Sequence, residues 1–108
     1  MRPVRGSMRY LGVLRGSGTL AGGDETIGPA EFDIDGFSTL PGDVAGSGEI
    51  RMAPADLDRA FGRSDLKLTT DDGLVLALRF SGKRLDPSEG AAHADIQSGL
   101  PPAAKWRR

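Results

Sequence analysis

Leu14-Arg15-Gly16-Ser17-Gly18-Thr19-Leu20 places two glycines inside a run whose flanks read as β-strand, and Val44-Ala45-Gly46-Ser47-Gly48-Glu49-Ile50 writes the same phrase again. A looser echo follows at Phe80-Ser81-Gly82-Lys83-Arg84-Leu85. Glycine inside a strand marks a bulge, a sharp bend or a place where another backbone comes close. Two such phrases in one short chain predict bend points in strands of a sheet curved enough to close, or a pseudo-repeat of two strand units. They speak of shape and name no reaction.

The neighbouring segments extend this reading. Tyr10 to Leu14 opens the first strand, which runs to Leu20 and ends at Gly22-Gly23-Asp24, a sequence suited to a turn with positive φ. Ala30-Glu31-Phe32-Asp33-Ile34-Asp35-Gly36-Phe37 alternates with period two, Phe32 and Ile34 on one face and Glu31, Asp33 and Asp35 on the other, as a half-buried strand requires. Pro41-Gly42-Asp43 marks a turn, and Val44 to Met52 a third strand. In Ala53-Pro54-Ala55-Asp56-Leu57-Asp58-Arg59-Ala60-Phe61-Gly62 the period changes. Early proline, early acids and a closing glycine punctuate a short helix near 54–61, whose Leu57 and Phe61 are spaced to dock on the sheet and plug an open barrel end.

Leu66 to Phe80 predicts a hairpin whose register can be argued. A two-residue loop at Asp72-Gly73 sets Lys67 opposite Leu78, mixing charge with an apolar face. A three-residue loop of Asp71, Asp72 and Gly73 pairs Leu68 with Leu76 and Leu66 with Leu78, with Gly73 left-handed in a G1 bulge, and is preferred. A last strand is expected at Ala92 to Ile96. The expected fold class is all-β: a small closed or partly open antiparallel β-barrel of about six to eight strands with one short helix. Core positions are Leu11, Val13, Leu20, Phe32, Ile34, Ile50, Leu57, Phe61, Leu66, Leu68, Leu76, Leu78, Phe80 and Ile96. A single domain over residues 8–99 is expected, between a flexible N-terminal segment 1–7 and a flexible, proline-broken tail 100–108.

Composition narrows the chemistry. The 108 residues include no cysteine, which leaves neither disulfides nor thiolate zinc sites nor a thiol nucleophile. No run approaches the roughly 20 apolar residues of a helical membrane span, so a cytoplasmic protein is the expectation. Absence of asparagine and a preference for arginine over lysine resemble a GC-rich bacterial coding sequence. Net charge is −1, yet residues 1–23 carry Arg2, Arg5, Arg9 and Arg15 with no acid, whereas residues 24–59 carry nine acids against Arg51 and Arg59. This asymmetry predicts basic and acidic strands side by side.

No catalytic constellation emerges. His93 is the single histidine and alternates with alanines. Neither Gly-Ser-Gly phrase has the spacing of a nucleophile elbow or the following helix of a phosphate loop, so bent strand is the better explanation. The acidic row Glu31, Asp33 and Asp35 lacks calcium-loop spacing and suits cross-strand pairing with arginines, though a cation remains the alternative occupant. Lys105-Trp106-Arg107-Arg108 is a short basic tail in a chain with pI near 5.7, and nucleic acid is not an expected partner. The expectation is a binding or interaction module rather than an enzyme, with no metal or cofactor and with a protein or small anionic ligand as partner.

Arg5-Gly6-Ser7-Met8-Arg9 has an R-x-x-x-R spacing that resembles the arginine motif of PilZ domains, small barrels that bind cyclic di-GMP. In that family a D/N-x-S-x-x-G motif follows on a strand. Here Asp35-Gly36-Phe37-Ser38-Thr39-Leu40-Pro41-Gly42 stands nearest, with one extra residue in each interval. The resemblance implies an alternative function, cyclic-dinucleotide binding through Arg5, Arg9, Asp35 and Ser38, because paired guanidinium forks suit phosphate and guanine edges.

Overall fold

The computed structural model describes residues 8–39, 43–82, 84 and 86–106. Segment 1–7 with Arg5, the turn residues Pro41 and Gly42, Lys83 and Leu85 of the third glycine phrase, and Arg107 and Arg108 lie outside the described residues. Six strands form one closed antiparallel barrel: β1 (Arg9–Gly22), β2 (Glu25–Ser38), β3 (Val44–Arg51), β4 (Leu66–Thr70), β5 (Val75–Phe80) and β6 (Ala91–Ser98), in the order β1-β2-β3-β6-β5-β4. Two three-stranded meanders are thereby joined at two seams, β1 with β4 and β3 with β6. In that order β3 and β4 stand three strands apart by either route, so their connection must cross the barrel. Helix α1 (Pro54–Ala60) lies in it and brings Leu57 and Ala60 fully into the core.

Pro54 opens α1 where its missing N–H costs nothing, and Phe61 N–H closes it on the Leu57 carbonyl. Phe61 then stacks on Phe80 with centroids 5.1 Å apart, beneath the Arg84 guanidinium, which is also paired with Asp58. Arg63 ties the following loop to the β1–β2 turn through Glu25 and Asp65. Its hydrogen bond holds the Asp65 carboxyl below the ordinary carboxylate range.

The β4–β5 hairpin has the expected register, Leu66 opposite Leu78 and Leu68 opposite Leu76, all four buried. Its loop is Asp71-Asp72-Gly73. Thr70 N–H reaches the Leu74 carbonyl, and Gly73 takes φ +100°, a conformation costly for any residue with a Cβ.

The repeated glycines act through space. A Cβ on Gly18 would sit 2.3 Å from the Thr69 carbonyl oxygen, and one on Gly48 would sit 2.0 Å from the Asp33 carbonyl oxygen. Neither has a positive φ. Both lie where neighbouring strands cross too closely for a side chain, as tight coiling of a narrow barrel demands. Gly16 is instead roofed by the Phe32 ring, 3.2 Å from where its Cβ would stand.

Three expectations are corrected. Strand β2 starts at Glu25 and not Ala30, despite Gly28 and Pro29. Its pairing with β3 begins only at Glu31, and the Pro29 nitrogen faces the side where no strand follows, so the missing N–H breaks no ladder. Val13 is half exposed and not core. A bulge between Tyr10 and Gly12 resets the alternation, turning Leu14 inward and Val13 outward beside Asp35. The reading of 100–108 as a flexible tail fails for 100–106. Leu100 packs on the core, a 3₁₀ turn spans Ala103–Lys105, and Trp106 lies over Gly36 and donates from Nε1 to the Pro101 carbonyl at 3.0 Å.

Replacing Gly73 and Gly48 by alanine separates conformational from steric demands. Gly73→Ala should cost about 1 kcal/mol, the penalty of a left-handed residue with a Cβ. That corresponds to a fall of roughly 5 °C in Tm. Gly48→Ala should cost at least about twice as much, because backbone must move. Thermal unfolding of both variants checks the order, and an unchanged Tm for Gly48→Ala would contradict the close approach.

Candidate functional site

The strands differ greatly in length, and this creates the most distinctive surface. β1 and β2 have 14 residues each, β4 only five, and β1 pairs with β4 only from Gly18 to Gly22. From Arg9 to Gly16, β1 therefore has β2 on one side and, among the described residues, no strand on the other. Asp71 N–H bonds the Ser17 carbonyl, which fixes the direction of the ladder. The backbone groups of Ser17 point away from β2, and by alternation so do those of Arg15 and Val13. Among the described residues, none bonds the N–H groups of Val13, Arg15 and Ser17 or the carbonyls of Val13 and Arg15.

Two clefts line this edge, and a third adjoins them. One of about 450 Å³ lies between Ser17, Thr19, Glu31, Arg51 and Asp71. A second, about 280 Å³, shares Ser17 and Asp71 with it and adds Leu14, Arg15, Phe32 and Asp72. A third, about 230 Å³, shares Leu14 and Arg15 with the second and is walled by Pro101, Lys105 and Trp106. Together they form a slot along Val13–Ser17, bounded by the β4–β5 loop at one end and the C-terminal segment at the other. Its base includes Leu14, packed against the core, and the buried Phe32.

The electrostatics of the slot follow from register. Arg15 stands opposite Asp33 with Nε 3.4 Å from Oδ1, and Arg51 stands opposite Glu31. The Arg51 guanidinium reaches Glu49 at 2.9 Å, Asp33 at 3.5 Å and Glu31 at 3.7 Å, and the Glu49 hydrogen bond chiefly raises its pKa. The acidic row is thus paired with arginines from both neighbouring strands, as the charge asymmetry predicted. Among the described residues no group of three His, Cys, Asp or Glu side chains is placed to hold a metal ion. Asp71, Lys105 and Arg9 have no ion-pair partner among the described residues, so opposite charges mark the two ends of the slot.

The residues expected from sequence gather elsewhere. Arg5 lies outside the described residues. Arg9 stands directly opposite Ser38 at the far end of the β1–β2 ribbon. Asp35 is three residues from Ser38, so alternation turns the two side chains to opposite faces, and Asp35 accepts a hydrogen bond from the Tyr10 hydroxyl at 2.9 Å. Of the described residues among them, Arg9, Asp35 and Ser38, none lines any of the three clefts. His93 is exposed on β6, across the barrel from β1, with Nε2 3.7 Å from Asp95 Oδ1. The residues that sequence reading missed are the loop acids Asp71 and Asp72 and the covering side chains Leu100 and Trp106. A signal for the last pair existed: Gly36 and Gly46 leave holes on the inward face that only a distant segment fills.

Trp106 is the sole tryptophan and reports on this packing. Truncation after Gly99 should lower Tm by several degrees, since it uncovers Gly36, Gly46 and their apolar neighbours. Trp106→Ala should have a smaller effect in the same direction. Equal Tm for full-length and truncated chains would contradict a packed segment. Comparison with known proteins returned no match: no family model fits the chain, and neither a curated sequence nor a solved structure is significantly similar to it.

Proposed function

We propose that the chain is a non-catalytic binding module whose working surface is the slot beside β1. The observation that carries this reading is the backbone edge over Val13–Ser17, unpaired among the described residues, along which two clefts lie and a third adjoins. Sites that bind partners combine concavity, an apolar floor and a few convergent polar groups, and the slot offers all three. A catalytic reading has less support. Ser17 is a hydroxyl that lines two of the clefts, and the single histidine lies on the opposite wall of the barrel. The carboxylates of the acidic row are occupied by Arg15, Arg51 and Tyr10.

Amide chemical-shift mapping of the labelled protein against a fragment library and a set of short peptides tests the site. Binding should perturb amides of residues 13–17, 71–72 and 101–106 together. Perturbations confined to another surface, such as the exposed His93 and Asp95 face, would refute it.

The cross-strand pair Arg9 and Ser38 favours a second reading, cyclic-dinucleotide binding at the ribbon's far end. Calorimetry and thermal shift with cyclic di-GMP decide it. Binding that is lost in Arg9→Ala would support this reading, and no response at high ligand concentration would end it.

A further inference from the structure

We propose that the slot takes a single extended peptide, which pairs antiparallel with β1 over Val13–Ser17 and continues the line that β4 abandons at Thr70. The inference rests on the binding reading above and names the class of partner.

The first support is backbone chemistry. Among the described residues, Val13 and Arg15 present unbonded N–H and C=O groups and Ser17 an unbonded N–H, at the two-residue repeat of a strand, and an extended peptide backbone carries the matching row. The sheet already uses the same edge this way one step further on, where Gly18–Gly22 pairs antiparallel with Leu66–Thr70. A peptide in the slot extends that ladder without moving it.

Space selects one strand rather than a second copy of the barrel. Asp71 closes the edge at Ser17 by bonding its carbonyl, and Pro101, Lys105 and Trp106 stand beside Val13 to Arg15. The open stretch is five residues, about 16 Å of extended chain. A second copy would present the same edge flanked by its own Asp71–Asp72 loop and C-terminal segment, so two copies can pair only by fitting both sets of walls at once, whereas a single extended peptide meets one set.

Charge sets the polarity. An antiparallel occupant has its N-terminal end beside Asp71 and Asp72 and its C-terminal end toward Lys105 and Arg9. Neither Asp71 nor Lys105 has an ion-pair partner among the described residues. The expected ligand is therefore basic at its N-terminal end and acidic at its C-terminal end, with apolar side chains at the alternate positions that face Leu14, Phe32 and Trp106. Arg15 and Arg51 are already engaged by Asp33, Glu31 and Glu49, so Asp71 and Lys105 give the field along the slot its direction.

Three synthetic peptides of one composition test this by fluorescence anisotropy and amide mapping on the full chain: KKTVTVEE, its charge-reversed counterpart EETVTVKK, and KKTVTVEE with N-methyl groups on alternate backbone nitrogens facing β1. The first should bind and protect the amides of Val13, Arg15 and Ser17 from hydrogen exchange. The charge-reversed peptide should bind at least about threefold more weakly, and N-methylation should cost at least about fivefold. Asp71→Lys should narrow or invert the preference between the first two. Arg15→Pro removes one rail donor that faces away from β2 and should weaken the first peptide. Because the N-methyl peptide removes the reciprocal bonds, from peptide N–H to the β1 carbonyls, in the unaltered protein, a misfolded variant does not obscure the result. Equal binding of the N-methylated peptide, or binding without protection of those amides, overturns the proposal. A concentration-dependent dimer that occupies the same edge also overturns it. Fragments that perturb residues 13–17 while all three peptides fail would overturn the peptide and leave the binding slot standing. Silence of the slot toward both fragments and peptides would overturn the two together.

Discussion

Everything in this barrel depends on how closely backbone approaches backbone at Gly18 and Gly48. Six strands enclose a narrow interior, and the sheet must coil sharply to close. At the two glycines a neighbouring strand lies within a distance that excludes even a methyl group, with carbonyl oxygens 2.3 Å and 2.0 Å from the hypothetical Cβ. The phrase that opens the sequence reading is thus a steric requirement of closure, met in β1 and again in β3. The remaining core follows from it. Leu20, Leu66, Leu68, Leu76 and Leu78 fill the interior at zero or near-zero exposure, and only α1 crosses its base.

Closure also determines what is left open. Since β4 meets β1 along five residues only, the longer ribbon of β1 and β2 runs on beyond the seam. The inward face of that overhang is built from Gly12, Gly36 and Gly46 alternating with larger residues. The chain covers it with its own C-terminal segment, Leu100 over Gly46 and Trp106 over Gly36. What the segment does not cover is the edge. Natural sheets blunt such edges with bulges, charges and proline, and β1 carries two of these devices, the bulge at Leu11 and the charge of Arg15. The bulge interrupts the outer stretch, while Val13–Ser17, which carries Arg15 on its outer face, stays regular, as an accessible strand must be.

Much of this was legible in the sequence, and the failures are physically instructive. The β4–β5 register followed from keeping four leucines on one face, a local argument that tertiary packing had no reason to overturn. Pairing of the acidic row followed from charge balance between segments, because cross-strand neighbours on a solvated face meet through register alone. The errors all involve information from a third element. Pro29 stops being a strand breaker only when one knows that β3 begins two residues later. Val13 leaves the core because a bulge two residues earlier shifts the alternation. The segment after Gly99 has no period of its own, and its order comes from holes left by glycines on β2 and β3. The slot was illegible for the same reason: it is defined by where β4 ends relative to β1, a difference of strand lengths that no local pattern encodes.

The placement of charge completes the argument about what this surface is for. Along the middle of the β1–β2 face every carboxylate of the alternating row is held by an arginine or a tyrosine, so these side chains are pinned in place. Asp71 at one end of the unpaired edge and Lys105 at the other have no ion-pair partner among the described residues. Exposed ion pairs of this kind add little to stability, typically under about 1 kcal/mol each. Their arrangement leaves the slot a field with direction, acidic where β4 ends and basic toward the C-terminal segment. A strand-shaped site with a directed field discriminates one orientation of an extended partner from the other, which an uncharged edge does not do.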